Sequence, residues 1–256
     1  MTLPLFQRAE QQDSRAAVSA PEGSFTYGDL TRESAWVATR LLHGRADLEG
    51  ARVCVMTPPG WDYVRTQWGI WKAGGMAVPL AVSHPPPEIA YVLDDAEPEV
   101  VVAHPSMVDR LAEVAAERGI PVVASDDIAA PLDPARLPAV DPRRPAMMLY
   151  TSGTTGRPKG VVITHANIQA QVEALSAAWG WRSDDRILLH LPLHHVHGIV
   201  NVLTCALWNG AECEMMERFD PVDVWGRLAK GSFTLYMAVP TVYAKLTLAE
   251  CRPDPR

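Results

Sequence analysis

From Tyr27 to Leu248, short apolar runs alternate with stretches of helical periodicity. That order limits the chain to folds in which helices cover a mainly parallel sheet. Helical spacing runs from Tyr27 to Leu42, Trp61 to Ala73, Pro86 to Asp95 and Val108 to Arg118. Between them lie apolar strands at Arg52 to Met56, Met76 to Val82, Glu99 to Ala103 and Ile120 to Ala124. Proline at the start of the third helix suits a first turn, whose N–H groups need no partner. A proline-rich connector from Ala129 to Pro145 follows. Beyond it the alternation resumes, with helices at Ala166 to Trp179, Gly198 to Trp208, Val222 to Leu228 and Thr241 to Leu248. Strands are expected there at Ile187 to Leu191 and Thr234 to Ala238. The 256 residues suffice for one large core or two small domains.

The connector delivers the chain to Tyr150-Thr151-Ser152-Gly153-Thr154-Thr155-Gly156-Arg157-Pro158-Lys159-Gly160. Apolar Ala146 to Leu149 precedes this run and Val161 to Ile163 follows it, so it reads as a loop between two buried strands. The loop offers backbone N–H groups, four hydroxyls and a cation to one small anion, for which a polyphosphate is the natural candidate. It is not a Walker A loop. Pro158 precedes the lysine, and Gly160 stands where a magnesium-binding Ser or Thr would be.

The full string resembles the phosphate-loop signature of the adenylate-forming superfamily: acyl-CoA synthetases, luciferases and adenylation domains of peptide synthetases. Other segments match in order. Phe25-Thr26-Tyr27-Gly28-Asp29-Leu30 resembles the first motif and Trp71 to Leu80 the second. Leu191-Pro192-Leu193-His194-His195-Val196-His197-Gly198 resembles the fourth, in its acid–CoA ligase form. Val239-Pro240-Thr241-Val242-Tyr243 resembles the start of a helix lining the acyl pocket. Within the superfamily these last two segments look most like malonyl-CoA synthetases.

The resemblance implies a layered α/β domain with mainly parallel sheets. Residues 1–256 would be the first part of its large N-terminal domain, as two α/β subdomains with the phosphate loop at 150–160. It implies a missing C-terminal half that carries a metal-binding Glu, a ribose-binding Asp and an adenylation lysine. The chain is then expected to be a piece of a longer protein or half of a split one, inactive alone. The reaction implied joins a carboxylate to ATP as an acyl-adenylate and then to coenzyme A, with Mg2+ assisting.

Site residues carry over position by position. Thr151, Ser152, Gly153, Thr154, Thr155 and Gly156 would hold the β- and γ-phosphates, and Lys159 would follow the departing pyrophosphate. His195 would lie between acyl pocket, ATP and the pantetheine tunnel, with His197 packed beneath. His194 departs from the Phe common at its position. Lys245, on the pocket helix, would contact the distal carboxylate of malonate or a small substituted malonate. The fourth motif lacks the Asp that holds an α-ammonium, so an amino-acid substrate is disfavoured. A ligase for medium-chain or aryl acids, and a non-catalytic nucleotide-binding fragment, are the alternatives.

Several classes are excluded on the residues themselves. A net charge of −7 provides no basic stripe for nucleic acid. The apolar span Ile187 to Ala211 is long enough to cross a bilayer, yet it holds Pro192, Gly198, Asn201 and four histidines. No signal peptide is visible, and Cys54, Cys205, Cys213 and Cys251 lack CxxC spacing, as in a reducing, cytoplasmic protein. His190 and His194 have the spacing of two metal ligands on one helical face. Pro192 opposes that helix, and on strand and loop the four rings should point apart, so no metal is expected there. Thr164 and His165 read as turn and helix capping. Trp208 and Trp225 read as core.

Overall fold

The computed structural model describes residues 3–134, 136–151 and 157–249. Its elements, in order, are α1 (Pro4–Glu10), β1 (Ala16–Ala20), β2 (Gly23–Thr26), α2 (Tyr27–Leu42), β3 (Arg52–Met56), α3 (Trp61–Lys72), β4 (Met76–Pro79) and α4 (Pro86–Ala96). Next come β5 (Val100–Ala103), α5 (Val108–Ala116), β6 (Val122–Ala124), α6 (Ser125–Ile128), β7 (Pro145–Thr151) and β8 (Lys159–Thr164). The remainder are α7 (His165–Trp179), β9 (Arg186–Leu189), a π-helical segment (His197–Thr204), α8 (Cys205–Asn209), β10 (Glu212–Met215), α9 (Pro221–Leu228), β11 (Leu235–Tyr236) and α10 (Pro240–Leu248).

The strands form two sheets, in the orders β6-β5-β3-β4-β7-β8 and β11-β9-β10-β1-β2. Pairing is parallel except for the β1–β2 and β7–β8 hairpins. This is the expected α/β fold with mainly parallel sheets flanked by helices. The inner strands are apolar on both faces because helices cover both: every residue of β4 is buried, as are Val53 to Met56 of β3.

Local chemistry sets the helix limits. Thr26 caps α2 through a capping box with Asp29, at 3.1 Å from the Asp29 N–H to the Thr26 hydroxyl. His43 ends α2 in the left-handed conformation. Thr164 caps α7 in the same way with Asn167, as its sequence predicts. His165 instead packs inward, edge to face against Trp71 at 5.5 Å.

The core joins the layers. Trp68, Trp71, Tyr27 and Tyr63 are among its largest fully buried side chains. Trp71 Nε1–H donates to the Ala146 carbonyl at 2.7 Å, tying α3 to β7. Tyr27 O–H donates to the Ala211 carbonyl at 2.7 Å, tying α2 to the second sheet. Buried Lys72 donates to the Thr31 carbonyl at 2.8 Å and lies over the Phe6 ring. Burial pushes its ammonium down to about 8, partly opposed by Glu10.

Three expectations need correction. The strand after the loop, β8, is not buried: Val161 and Val162 are 46% and 47% exposed, because β8 is the edge of its sheet and only β7 pairs with it. The helix expected from Gly198 to Trp208 begins as the π-helical segment and turns α-helical only at Cys205. The Thr204 hydroxyl donates to the Ile199 carbonyl, five residues back, at 2.7 Å. Sequence spacing also gave no sign of α1, β1, β2, α6 or β10. β1, β2 and β10 are short and only partly buried, so they lack the continuous apolar signal of the central strands. Cys54, Cys205 and Cys213 are buried free thiols, and Cys251 lies outside the described residues.

Candidate functional site

The C-terminal ends of β4, β7 and β9 converge, where parallel α/β sheets present their ligand sites. Two cavities open there. The first, of about 630 Å³, is lined by Leu80, His84, Tyr91, Tyr150, Thr151 and His195, among others. The second, of about 410 Å³, is lined by Thr57, His190, Phe219, Val239, Val242 and Lys245, among others. Leu80 and His194 line both, so the His194 ring stands in the wall between them.

The β7–β8 hairpin supports the loop. Its register sets Thr151 opposite Lys159, and Tyr150 opposite Gly160. Directly opposed residues of an antiparallel pair point to the same face. An exposed hydroxyl and an exposed ammonium therefore share one face at the foot of the loop. Among the described residues no carboxylate pairs with Lys159. A free cation beside a hydroxyl fits a phosphate group. Ser152, Gly153, Thr154, Thr155 and Gly156 lie outside the described residues.

Of the four histidines expected to point in different directions, His194 and His195 come together, while His190 and His197 turn elsewhere. Rings of His194 and His195 sit 4.1 Å apart, and His84 lies 6.0 Å from His194. The chain turns at Pro192, with His195 N–H bonded to the Pro192 carbonyl, so strand alternation does not apply. Burial pushes His194 down to about 4, with further lowering from His195 and His84. Burial and then His84 lower His195 as well. Both are neutral imidazoles at neutral pH, each able to donate one hydrogen bond and accept one. His190 lines the second cavity instead, with its Nε2 2.8 Å from the Tyr236 hydroxyl and its ring against Phe219. His197 is half-buried at the start of the π-helical segment and lines neither cavity. Among the described residues, no group of three or more His, Cys, Asp or Glu side chains converges as metal ligands would.

Lys245 faces the second cavity from α10, on the helix face of Val239 and Val242, with Arg218 and Glu217 also in the lining. The structure thus brings Thr151 and His195 to one cavity and Lys245 to the next, with His194 between. Trp208 is buried beneath Arg8, and Trp225 donates to the Leu246 carbonyl at 2.9 Å, so both are structural. Sequence reasoning missed His84, Glu88 and Tyr91 in the first cavity and Glu217 and Arg218 in the second. His84 sits in the Ser83-His84-Pro85 turn, a break that marks a loop but carries no chemical pattern.

The chain has relatives among known proteins. The mitochondrial malonate–CoA ligases ACSF3 of Xenopus laevis and Homo sapiens are each 40% identical to 95% of the chain. The alignments cover 45% and 44% of those relatives, so the chain spans less than half their length. Among solved structures, ATP-bound MatB from Rhodopseudomonas palustris superposes with a TM-score of 0.87 at 29% identity. That match covers 98% of this chain and 52% of the other. The family model for AMP-binding enzymes matches residues 5–255, and the chain belongs to that family.

Proposed function

We propose that residues 1–256 form the first part of the large N-terminal domain of an ATP-dependent, AMP-forming acid–CoA ligase acting on malonate or a small substituted malonate. The observation that carries the reading is the shared cavity. A phosphate-loop foot, Thr151, and a neutral imidazole, His195, line one space, and a cation, Lys245, lines the space beside it. Two anions must meet in this reaction, the acid and the nucleotide, so charge neutralisation is the main task. In the first step a carboxylate oxygen bonds to the α-phosphorus and pyrophosphate leaves. In the second, the coenzyme A thiolate bonds to the acyl carbon and AMP leaves.

Thr151 and Lys159 donate to the phosphates of ATP, together with the residues between them. Mg2+, when bound, would offset phosphate charge, and its carboxylate ligand is expected outside residues 1–256. His195 donates to the reacting carboxylate and borders the approach of the thiol. Lys245 receives the distal carboxylate in the second cavity, whose lining does not include His197. The likeness to malonate–CoA ligases supports the choice of acid. The rest of the polypeptide is the expected partner of this chain. Among the described residues no helix is long and apolar enough to cross a membrane. A second reading, a ligase for medium-chain or aryl acids, draws on apolar Phe219, Val239 and Val242 in the second cavity.

ATP–pyrophosphate exchange by the complete polypeptide tests the reading. Malonate should drive exchange, with butyrate and an aryl acid far behind, and residues 1–256 alone should drive none. Exchange faster with butyrate or the aryl acid would replace the proposal with the second reading. Robust exchange by residues 1–256 alone would refute the assignment of essential groups to the remainder.

A further inference from the structure

Helix α4 meets the β7–β8 hairpin through two hydrogen bonds that the family motifs do not explain. The Tyr91 hydroxyl donates to the Pro158 carbonyl at 2.7 Å. The Tyr150 hydroxyl donates to Asp95 Oδ2 at 2.6 Å. Between these bonds the two tyrosine rings meet edge to face, with centroids 6.4 Å apart. Tyr91 and Asp95 are one helical turn apart, on one face of α4. Within the 150–160 run, Tyr150 lies before residues 152–156 and Pro158 after them. One helix face thus grips the chain on both sides of the loop.

The helix is well placed to act as a fixed post. Ile89, Val92, Leu93 and Ala96 bury its other side in the core. Arg118 from the turn after α5 pairs with Asp94 at 2.7 Å. β8 lies at the sheet edge and, among the described strands, pairs with β7 alone, so its start gains most from an added tether. The Asp95 carboxylate beside Tyr150 contributes, after burial, to holding the phenol protonated and therefore a donor.

We propose that Tyr91 and Asp95 are positioning residues for the nucleotide. They fix the backbone on both flanks of the phosphate loop, so that Thr151 and Lys159 meet the phosphates without first being ordered. This rests on the reading of the chain as the ATP-binding part of an acid ligase. Preorganised donors raise affinity by reducing the ordering that binding requires. Both tyrosines also line the first cavity, so its occupant touches the groups that hold the loop.

The test uses the complete polypeptide and four variants. Tyr91→Phe and Tyr150→Phe keep the ring contact and remove one hydrogen bond each. Asp95→Ala removes the acceptor, and Asp95→Asn keeps an acceptor oxygen. Tyr91→Phe should raise KM for ATP in the exchange assay roughly three- to tenfold, the range of one neutral hydrogen bond, and Asp95→Ala by at least as much because it removes a bond to a carboxylate. KM for the acid should stay unchanged. Asp95→Asn should restore most of the loss. Hydrogen exchange in the peptide spanning 145–164 should accelerate in Tyr91→Phe and Asp95→Ala and stay near wild type in Asp95→Asn. Unchanged KM for ATP with unchanged protection of that peptide would overturn the proposal. So would equal losses in Asp95→Ala and Asp95→Asn, or a rise in the acid KM in step with that for ATP. A wild-type protein without acid-dependent exchange would refute the ligase reading, while hydrogen exchange would still decide whether α4 holds the loop.

Discussion

Lys245 shares its cavity with one carboxylate, Glu217, and one further cation, Arg218. A malonate enclosed there carries a second carboxylate that needs a partner, since an unpaired charge in a closed pocket is costly. Lys245→Met should lower the malonate-to-butyrate ratio of kcat/KM by about 2–4 kcal/mol, toward the low end because the ammonium remains partly in water. Butyrate turnover itself should hold or improve in the more apolar pocket. Steady-state kinetics with both acids checks this, and an unchanged ratio would make Lys245 a helix-surface lysine. That Thr151, His195 and Lys245 border the cavities was legible because each lies in or beside a short motif. Arg218, His84 and Tyr91 were not. They join the cavities only when segments distant in sequence pack together, and no spacing rule records that.

At the scale of elements, α2 and α3 pack closely because Gly69 has no side chain. A Cβ there would strike the Val37 side chain and lie 3.1 Å from the Ser34 carbonyl. Gly69→Ala should therefore destabilise the protein by about 1–3 kcal/mol despite alanine's better helix propensity. Val37→Ala should cost less in that background than alone, because it removes one of the two clashing atoms, and urea unfolding of the single and double variants measures it. Full independence of the two substitutions would contradict the packing. Helices α2, α3, α4 and α7 were legible because each carries an apolar face bounded by a cap, a proline or a glycine. The π-helical segment was not. Over eight mostly apolar residues, its wider turn and an α-helical turn give the same pattern of burial. The exposure of β8 escaped notice for a related reason: an apolar run cannot reveal whether its strand has one neighbour or two.

For the whole molecule, three histidines link the fold to pH. Burial pushes His165, His190 and His194 each down to about 4 from an ordinary 6.5. Between those values the unfolded chain binds protons that the folded chain does not. Stability from these groups is therefore present above the ordinary value and is lost as pH falls toward 4. His165 is the clearest case, buried at 6% exposure with an unpartnered Nε2 and the Arg144 charge nearby. The melting temperature should fall on acidification over this window. His165→Leu should flatten the dependence, removing up to about 2 kcal/mol of acid destabilisation between about pH 7 and pH 4.5. Thermal melts across that range decide it, and an unaltered slope would mean His165 titrates normally. The layered α/β class was legible at this scale from alternation alone. The division into two sheets was less so, because β1 and β10 pair across almost the whole length of the chain.

Gly160 closes the signature string, yet its neighbours are a thioether and a ring. A Cβ there would come within 2.7 Å of Met148 Sδ and 3.3 Å of the Tyr150 ring. Tyr150 lies opposite it and fills the space that a side chain would occupy, as aromatic residues do over cross-strand glycines. That same ring carries the hydroxyl that reaches Asp95. A mutational scan of this segment scored by activity alone would group Gly160 with the phosphate contacts. Its intolerance would instead report the packing of Met148 and Tyr150, and sequence logos drawn from such scans would merge two different causes into one motif.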